Sequence, residues 1–562
     1  MNILGIHLGH DACAALVRDG EIVADVAEER FTRIKHQSGL PRLSVDYCLN
    51  AGGISGEDVD VIAVATINPV PDLHLLFDGL PRQKKSRLVQ IQDIIKKRKG
   101  FPLRGVPRYF KKWTVSPKVE LDSVEHHLAH AASAYYTSGH DEKQLIATID
   151  GEGDGFSTCL WRGEGGRIEP LEKFGTESST AIFYGIVTEG LGWWHGDGEG
   201  KTMGLAPYGD PSDVAGILDG YYPKFENGCL ISPADYGQFY QIDQSGALHH
   251  HYGLAEDMSR LVECHGREQI AAEAQRIIEE QISQLIFPWL NREGTSNLSC
   301  AGGLFLNVKL NQRIWETGKV ARHHIFPNAG DSGLAVGAAL YAWHHRNPGA
   351  KNQILDHLYR GPEYSNDEIE TVLKTRNLNY RRVEDIESEV ADRLAKDQIV
   401  AWFQGRMESG PRALGNRSIL MSANRAENKD IINSRVKFRE GFRPFCPSMH
   451  REKKEHYLEN PRDEFFMITS FTCPEPKRKR IPAVVHADNT LRPQTVSQAM
   501  NPKYWRLIDE FGTRTGEHLL LNTSLNVMGE PIVSHPHEAI RCFYDSGLDC
   551  LAMGDFLLEK VQ

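Results

Sequence analysis

Two histidines, His126 and His130, lie four residues apart in the stretch HHLAHAASAYY and could bind one metal ion. The stretch is predicted to be helical, and side chains four residues apart share one face of a helix. Asp150, at the end of the predicted strand LIATID, and Asp331, in a Gly-flanked loop, are plausible carboxylate partners. Such a set suits Fe(II), Mn(II) or Zn(II) acting as a Lewis acid. Histidine pairs of this spacing are more often polar surface or hydrogen-bonded residues, so both interpretations stay open.

A second set of residues suited to chemistry is a series of cationic side chains in Gly- and Pro-rich segments near the C-terminus. The series consists of Arg412 and Arg417 in GPRALGNRS, Lys437, Arg439 and Arg443 in RVKFREGFRPF, and Arg492 in LRPQT. Guanidinium groups on loops present paired donors that match a phosphate. Asn522 and Ser524, after the apolar strand LLL, could hydrogen-bond a planar amide-like group. Surface salt bridges are the alternative, but arginines in contexts such as FRPFCPS favour an oxyanion pocket.

A repeated strand pattern in the N-terminal part is expected to position the first of these sets. The segments NILGIHLG, HDACAALVRDG and EIVADVAEE are matched about 145 residues later by QLIATIDGEGDG, FSTCLWRGEGG and RIEPLEKFG. The first turn of each copy, at residues 9–11 and 151–155, contains glycine, which lets a backbone approach a phosphate closely. Ordinary hairpin turns are the alternative for either turn alone. The repeat predicts two related halves that face one another across a cleft.

The chain is expected to divide into two domains. Gly302 and Gly303 follow the predicted strand NLSCA and suit a strand-to-helix turn that accommodates a nucleoside. The Ala-rich helix LAVGAALYAWHH leads into a polar linker near residues 347–349. Beyond it, a helix at DEIETVLKTRN and a buried strand at IVAWFQG begin a different pattern. We therefore predict one domain over residues 1–350 and a separate α/β domain over residues 355–562.

Composition excludes several classes of protein. With 64 Lys and Arg against 75 Asp and Glu among 562 residues, the net charge is −11, which argues against a nucleic-acid coat. The ten cysteines form no CxxC pair, which indicates reduced thiols in a cytoplasmic protein. No apolar stretch approaches the ~18 residues of a membrane helix, and the N-terminus lacks the pattern of a secretory signal.

Two further segments draw attention. The basic segment 81–113 could contact an anionic or polar acceptor, conceivably RNA, although a solvated helical insertion is the favoured interpretation. The tract His249, His250 and His251 lies in GALHHHYG, which suggests a hairpin. Consecutive residues of a regular element cannot all face one ion, so this tract is interpreted as structural.

Taken together, these motifs resemble the NodU/CmcH family of O-carbamoyltransferases. The matched segments run in order over nearly the whole chain and are GIHLGHDA, AEERFTRIKH, EHHLAHAASAYY, IDGEGDG, GKTMGLAPYG, AGGLFLNVKLN, NAGDSG, GPRALGNRS, KFREGFRPFCPS, RPQTV and LNTSLN. The larger domain of that family resembles the tRNA threonylcarbamoyl transferase of the actin/sugar-kinase superfamily. Its smaller domain resembles the YrdC fold. The resemblance therefore implies an α/β chain with a duplicated actin/sugar-kinase-like domain and a C-terminal YrdC-like domain.

The resemblance implies a two-step reaction. The smaller domain would join carbamoyl phosphate to ATP, bound with Mg²⁺, to give carbamoyl adenylate and pyrophosphate. The larger domain would pass the carbamoyl group to a hydroxyl of a small-molecule alcohol, such as a natural product or a sugar, and release AMP. Homodimerisation is plausible, and neither a nucleic acid nor a membrane is expected as a partner.

The resemblance also assigns residues. It places carbamoyl phosphate and nucleotide at Arg412, Lys437, Arg443, Arg492, Asn522 and Ser524, with Gly302, Gly303 and Asn307 as further nucleotide-binding candidates. It places a metal, usually iron, at His126, His130, Asp150 and Asp331. It puts His10 and Lys35 beside the transferred carbamoyl group. Lys35 could neutralise the developing oxyanion, and His10 could take the proton of the acceptor hydroxyl.

Two departures separate this chain from more distant relatives. The tRNA-modifying enzymes typically carry tyrosine where this chain has Asp150, as expected for the branch that acts on small molecules. Sugar kinases carry an acidic residue where this chain has His7, which puts kinase activity in doubt. The alternative function is that of a tRNA threonylcarbamoyl transferase. The basic segment 81–113 is the feature that supports it. A nucleotide-gated binding module of the actin type is a third hypothesis, but it would need no arginine pocket.

Overall fold

The first of three large sheets lies at the N-terminus of the protein. The computed structural model describes residues 1–68, 70–80, 112–242 and 248–560. Three antiparallel strands form a meander, and two further strands add in parallel beside the first strand. In chain order, the five strands are Asn2–His7, Cys13–Arg18, Glu21–Ala27, Val61–Val64 and Glu120–Ser123. Their spatial order is third, second, first, fourth and fifth.

The second sheet repeats this topology. Its strands are Gln144–Gly153, Phe156–Glu164, Arg167–Phe174, Asn297–Ala301 and Arg322–Ile325. The spatial order is again third, second, first, fourth and fifth, with the same change from antiparallel to parallel pairing. The predicted duplication is therefore confirmed.

Helices cover and join the two sheets. They are Glu29–Thr32, Arg42–Ala51, His126–Tyr136, Thr180–Gly190, Glu199–Leu205, Ala255–His265, Arg267–Glu293, Val308–Glu316 and Leu334–Arg346. The helix Leu334–Arg346 is rich in small residues because it packs closely on its neighbours. A Cβ atom at Gly337 would lie 1.9 Å from the carbonyl oxygen of Ala129, and one at Gly5 would lie 1.9 Å from that of Ala335. These contacts bring the helix Leu334–Arg346 against the helix His126–Tyr136 and the first strand.

Two of the sequence interpretations concern segments outside these sheets. The strands Gln238–Ile242 and Leu248–Tyr252 pair in antiparallel fashion, so the histidine tract lies in a hairpin as expected. Further two-stranded pairs are formed by Lys224–Glu226 with Cys229–Ser232 and by Phe77–Asp78 with Trp113–Thr114. Residues 81–111, most of the basic segment, lie outside the described residues, so its proposed contact with RNA stays a prediction.

The third sheet has eight strands and lies in the C-terminal part. In spatial order they are Arg381–Arg382, Phe556–Glu559, Cys550–Met553, Val400–Phe403, Arg417–Ser422, Leu519–Ser524, Cys446–His450 and Gln494–Val496. All four residues of Val400–Phe403 are buried, as expected for the apolar run IVAWFQG. Both faces of this strand contribute to separate hydrophobic cores.

Helices complete the C-terminal part. They are Asn366–Thr375, Ile386–Leu394, Glu427–Ile432, Lys454–Tyr457, Glu475–Arg478, Pro502–Thr515 and Pro536–Tyr544, with a π-helical turn at Asn433–Lys437 and a two-stranded pair of Phe471–Thr472 and Thr490–Leu491. No helix within the described ranges is long and apolar enough to cross a lipid bilayer.

The N-terminal and C-terminal parts contact each other through specific polar groups. Arg30 donates to the carbonyl oxygen of Gly410 at 2.7 Å. Arg33 donates to the carbonyl oxygens of Pro531 and Ile532. The contact with Gly410 places the loop that carries Arg412 directly against the N-terminal part.

Candidate active site

His126, His130, Asp150 and Asp331 meet in one buried cluster. The Nε2 atom of His130 lies 3.1 Å from Oδ2 of Asp150 and 3.6 Å from Oδ1 of Asp331. The Nε2 atom of His126 lies 3.6 Å from the same Asp331 oxygen. One ligand atom from each of the four residues falls within 4.8 Å of the others. The structure therefore brings together the set that the sequence suggested as metal ligands.

Three elements position this cluster. The helix begins at His126, and the preceding Glu125 side chain accepts hydrogen bonds from the backbone amides of His127 and Leu128. Asp150 was expected at the end of its strand, but the strand continues to Gly153 with an irregularity in its pairing. A Cβ atom at Gly153 would lie 2.1 Å from the His126 ring, so glycine is required there. Asp331 opens the short turn before the helix Leu334–Arg346.

The electrostatics of the cluster match a site for a cation. Burial lowers the pKa of His126 to about 3. Burial also opposes protonation of His130, but Asp150 and Asp331 outweigh it and raise its pKa to about 9. The Nε2 atoms of both histidines are buried and make no aligned hydrogen bond. A metal ion coordinated by all four residues would satisfy these nitrogens and balance the two carboxylates.

The adjacent His127 does not belong to the cluster. Its two ring nitrogens lie 3.1 Å from the hydroxyl of Thr148 and 3.1 Å from the carbonyl oxygen of Phe156. The sequence interpretation that His127 points elsewhere is therefore confirmed.

His10 borders the cluster on its solvent side. Its Nε2 atom lies 3.3 Å from Oδ2 of Asp331, and its Nδ1 atom lies 3.0 Å from Asp11. The charge of Asp331, reinforced by Asp11, raises the pKa of His10 to about 9. His7 lies behind it, 3.5 Å from Asp331, and holds the carbonyl oxygen of His10 at 3.1 Å. The first turn of the chain thus places one exposed imidazole beside the buried cluster.

Lys35 is paired with Asp197, which comes from the loop that follows residue 190. His36 lies beside them, with its Nδ1 atom 2.8 Å from Asp11 and its Nε2 atom 3.9 Å from Asp197. The nearby imidazole of His36, followed by the charge of Lys35, lowers the pKa of Asp197. Lys35 is therefore connected through His36 and Asp11 to His10.

The glycine pair and Asn307 lie on the other side of Asp150. The backbone amide of Gly303 donates to Oδ2 of Asp150 at 2.9 Å. Gly302 has a φ of +98°, and a Cβ atom there would lie 2.2 Å from the carbonyl oxygen of Ile149. Asn307 caps the helix Val308–Glu316 and exchanges hydrogen bonds with Gln275. In this structure, these three candidates support Asp150 and the local fold.

The C-terminal part of the chain contains a cluster of cations with little compensating negative charge. Burial and the charges of Arg492 and Arg443 lower the pKa of Arg412 to about 9. Burial and the charge of Arg443 likewise lower the pKa of Arg439 to about 9. The carboxylate of Glu440 lies 3.8 Å from Arg443. Mutual repulsion of this kind indicates a site for a multiply charged anion.

Lys437, Ser524 and Asn522 border this cation cluster. Lys437 is buried and donates to the carbonyl oxygen of Ser524 at 2.6 Å and to two oxygens of Asn526. Burial and the charge of Arg439 lower the pKa of Lys437 to about 7. Asn522 donates to the carbonyl oxygen of Ala413, while its own Oδ1 atom is buried without a hydrogen-bond partner.

Arg417 has a structural role and does not join the cation cluster. It is fully buried at the start of its strand, and its guanidinium group lies 3.7 Å from the centre of the Phe403 ring. It donates hydrogen bonds to four carbonyl oxygens, those of Gln404, Gly405, Asn416 and Pro362. The grouping of Arg417 with the phosphate-binding arginines is therefore corrected.

Arg417→Ala is expected to destabilise the protein because it leaves these carbonyl oxygens without donors. The loss should be about 3 kcal/mol or more, which lowers the melting temperature by roughly 6–12 °C. Thermal unfolding followed by circular dichroism measures it. Arg425→Ala is the matched control, since Arg425 is exposed and pairs only on the surface. Equal melting temperatures for Arg417→Ala and the parent protein would contradict this role.

Several residues of these sites were not identified from the sequence. Asp11, His36 and Asp197 connect His10 to Lys35, and only the position of Asp11 next to His10 could have suggested one of them. Cys446 lies inside the cation cluster, with its Sγ atom 2.8 Å from Nε of Arg492. Its scattered position among ten cysteines provided no signal.

Comparison with known proteins gives a consistent result. A family model described as carbamoyltransferase N-terminus matches residues 2–340, and one described as carbamoyltransferase C-terminus matches residues 391–560. Nodulation protein NolNO of Sinorhizobium fredii is 36% identical over 98% of this chain and 79% of its own length. Nodulation protein U of the same species is 27% identical over 96% of each chain.

Solved structures show only a distant likeness. Component A of (R)-2-hydroxyglutaryl-CoA dehydratase from Acidaminococcus fermentans aligns over 61% of this chain and 98% of its own, with 14% identity and a TM-score of 0.33. That similarity is too low to bear on the reaction. The two family models together span nearly the whole chain, and the relatives agree with them. The protein therefore belongs to the carbamoyltransferase family, in its NodU/CmcH group, and is a carbamoyltransferase.

Proposed function

We propose that the protein is an ATP-dependent O-carbamoyltransferase that divides its reaction between two sites. Residues 355–562, as a YrdC-like domain, would form carbamoyl adenylate. Residues 1–350 would transfer the carbamoyl group to a hydroxyl of a small molecule. The observation that carries the proposal is the presence of two chemically different sites, a largely uncompensated cation cluster and a buried His/Asp cluster, on facing parts of one chain.

The cation cluster supports the first half-reaction. Arg412, Arg443 and Arg492 would hold the phosphate groups of carbamoyl phosphate and of ATP bound with Mg²⁺, since bidentate guanidinium donors suit phosphate oxygens. A bound anion would relieve the repulsion from Arg492 and Arg443 that, together with burial, lowers the pKa of Arg412. Lys437 and the amide of Asn522 lie at the same border and would orient the carbamoyl end.

The formation of carbamoyl adenylate balances only if water is one of the reactants. Carbamoyl phosphate and water give carbamate and inorganic phosphate, and a carbamate oxygen then attacks the α-phosphorus of ATP. The bond to the β-phosphate breaks, and pyrophosphate leaves. The products are carbamoyl adenylate, pyrophosphate and phosphate in equal amounts. A labile product of this kind favours an enclosed route to the second site.

The His/Asp cluster and His10 support the transfer step. The hydroxyl oxygen of the acceptor would attack the carbamoyl carbon, and the bond to the AMP oxygen would break. Fe²⁺ or another divalent ion held by His126, His130, Asp150 and Asp331 would supply Lewis-acid stabilisation when bound. Because Asp331 is the main cause of the raised pKa of His10, neutralising that carboxylate would leave His10 able to accept the hydroxyl proton. Lys35 would balance negative charge on the carbamoyl oxygen.

Asp197 supports a short path between the two sites. It pairs with Lys35 beside His10, and its negative charge also acts on Arg443 of the cation cluster. Lys201, in the helix that follows Asp197, lies 3.7 Å from Glu440 across the same boundary. The adenylate formed at the arginines would therefore face the transfer site across the boundary.

The test is pyrophosphate release from ATP in the presence and absence of carbamoyl phosphate. We expect release to require carbamoyl phosphate and to yield one phosphate per pyrophosphate. Release that is indifferent to carbamoyl phosphate would contradict the proposal and favour a nucleotide-gated module. Addition of tRNA distinguishes the proposed function from a tRNA threonylcarbamoyl transferase, because tRNA-dependent release of AMP would favour the latter. Mass spectrometry of candidate alcohols, in search of one added carbamoyl group, identifies the acceptor.

A further inference from the structure

A second group of potential metal ligands lies in the C-terminal domain, outside both sites described above. We propose that His450, His518 and Asp509 bind one Zn²⁺ ion and that this ion links the helix Pro502–Thr515 to the sheet. One ligand atom from each residue falls within 4.8 Å of the others. This site does not depend on the proposed reaction.

The ring of His450 is fixed by contacts with Trp505 that leave one nitrogen free to bind a metal. It ends the strand Cys446–His450, and its ring stacks on Trp505 with a centroid distance of 4.5 Å and an interplanar angle of 2°. Its Nε2 atom donates to the carbonyl oxygen of Trp505 at 3.0 Å. With the proton on Nε2, the Nδ1 atom keeps its lone pair. Metal-binding histidines usually donate the second ring N–H to a carbonyl or carboxylate oxygen in this way.

His518 is placed beside His450 by the backbone. The amide of His450 donates to the carbonyl oxygen of His518 at 3.2 Å, and the two ring centres lie 5.1 Å apart. The His518 ring also packs against the helix at Gly512, where a Cβ atom would lie 2.4 Å from it. Glycine at this helical position is therefore what lets the ring lie there. Its Nε2 atom points towards Asp509, 3.5 Å away.

A simple His–Asp ion pair explains this arrangement less well. The 3.5 Å separation is long for a charge-assisted hydrogen bond, which is usually nearer 2.8 Å. The gap between the three ligand atoms is thus better filled by a cation.

The donor set favours Zn²⁺. Two imidazole nitrogens and one carboxylate oxygen form a common three-ligand set for this ion, with water in the fourth position. The side chains of His518 and Asp509 are 24% and 45% exposed, so water can reach the open position. Binding would join the end of one strand to the helix Pro502–Thr515. Because Cys446 and His450 lie on the same strand, the ion would also stiffen the strand that borders the cation cluster.

The test measures the affinity for Zn²⁺ of ligand variants and of a control variant by competition with a chromophoric chelator. Every protein in the test also carries His130→Ala, which disables the candidate catalytic cluster. We expect Asp509→Asn and His518→Gln each to weaken binding of one Zn²⁺ at least about tenfold. The matched control is His345→Gln, since His345 is exposed and lies outside the ligand groups. Binding at the tract 249–251 would persist in every variant and would not produce this difference.

A second measurement is local to the site. Ni²⁺ bound to His450 should quench the emission of the stacked Trp505, and the quenching should disappear in Trp505→Phe and in Asp509→Asn. Asp509→Asn decides the outcome if His518→Gln fails to fold, because Asp509 lies on an accessible side of the helix. Unchanged Zn²⁺ affinity in a folded Asp509→Asn protein, together with unchanged quenching, would overturn the proposal.

Discussion

His130→Ala is expected to reduce carbamoyl transfer about a thousandfold while pyrophosphate release from ATP and carbamoyl phosphate stays within about twofold of the parent. A thousandfold loss corresponds to about 4 kcal/mol of transition-state stabilisation. His130 is buried, and its Nε2 atom faces both Asp150 and Asp331, so its removal takes one of four ligands from the cluster. The cation cluster lies in the C-terminal part of the chain and keeps all of its charges. The measurement is pyrophosphate release and carbamoyl-product formation on the same preparation.

The matched control for this prediction is His127→Gln. His127 is the neighbouring histidine of the same helix and is equally buried, but its nitrogens contact Thr148 and Phe156 outside the cluster. This change should affect stability without separating the two half-reactions. Loss of pyrophosphate release in a well-folded His130→Ala protein would contradict the division of labour. Full transfer activity in that protein would contradict a role for the cluster.

The duplicated halves could be predicted because their signals are local. Each meander is three consecutive strands joined by short turns, so apolar runs and glycines in one stretch of chain describe it. The pairing of His126 with His130 follows from helical periodicity for the same reason. The proximity of Asp331 to these two histidines, which lie more than 200 residues away in the chain, could be inferred only from the assumption of a cleft.

The two roles of neighbouring arginines could not be predicted. Arg412 and Arg417 lie in one motif and have the same chemistry, yet one repels other cations and the other donates to four carbonyl oxygens. The difference arises because Arg417 begins a buried strand and lies directly opposite Phe403 on the neighbouring strand, with its guanidinium group over that ring. Burial of that kind depends on strand pairing across the whole sheet.

Contacts between distant parts of the chain were also beyond the sequence. Lys35 and Asp197 are 162 positions apart, and Arg33 reaches carbonyl oxygens about 500 positions away. Each of these side chains looks like an ordinary surface charge until the distant segments are brought together. Long-range packing, and not local propensity, therefore decides which charges lie between the two sites.

Arg443→Ala is expected to reduce carbamoyl adenylate formation about a hundredfold or more, because it removes one cation from the phosphate-binding cluster. Loss of one charge-assisted contact that is made in the transition state commonly costs about 3 kcal/mol. Pyrophosphate release measures the effect. Arg435→Ala is the matched control, since Arg435 lies in the same segment but is half-exposed and pairs with Asp549. Control activity should stay within about twofold of the parent.

Arg443→Ala has a second expected effect, which distinguishes a binding role from a structural one. The charge of Arg443 contributes to the lowered pKa values of Arg412 and Arg439, so the three side chains repel each other when no anion is bound. Removing Arg443 relieves that repulsion but also removes its attraction to Glu440 and Asp197, so the unliganded variant should melt close to the temperature of the parent. Stabilisation by added carbamoyl phosphate should shrink at the same time. A lower melting temperature without ligand would show that Arg443 supports the fold, and the loss of activity would then say nothing about phosphate binding.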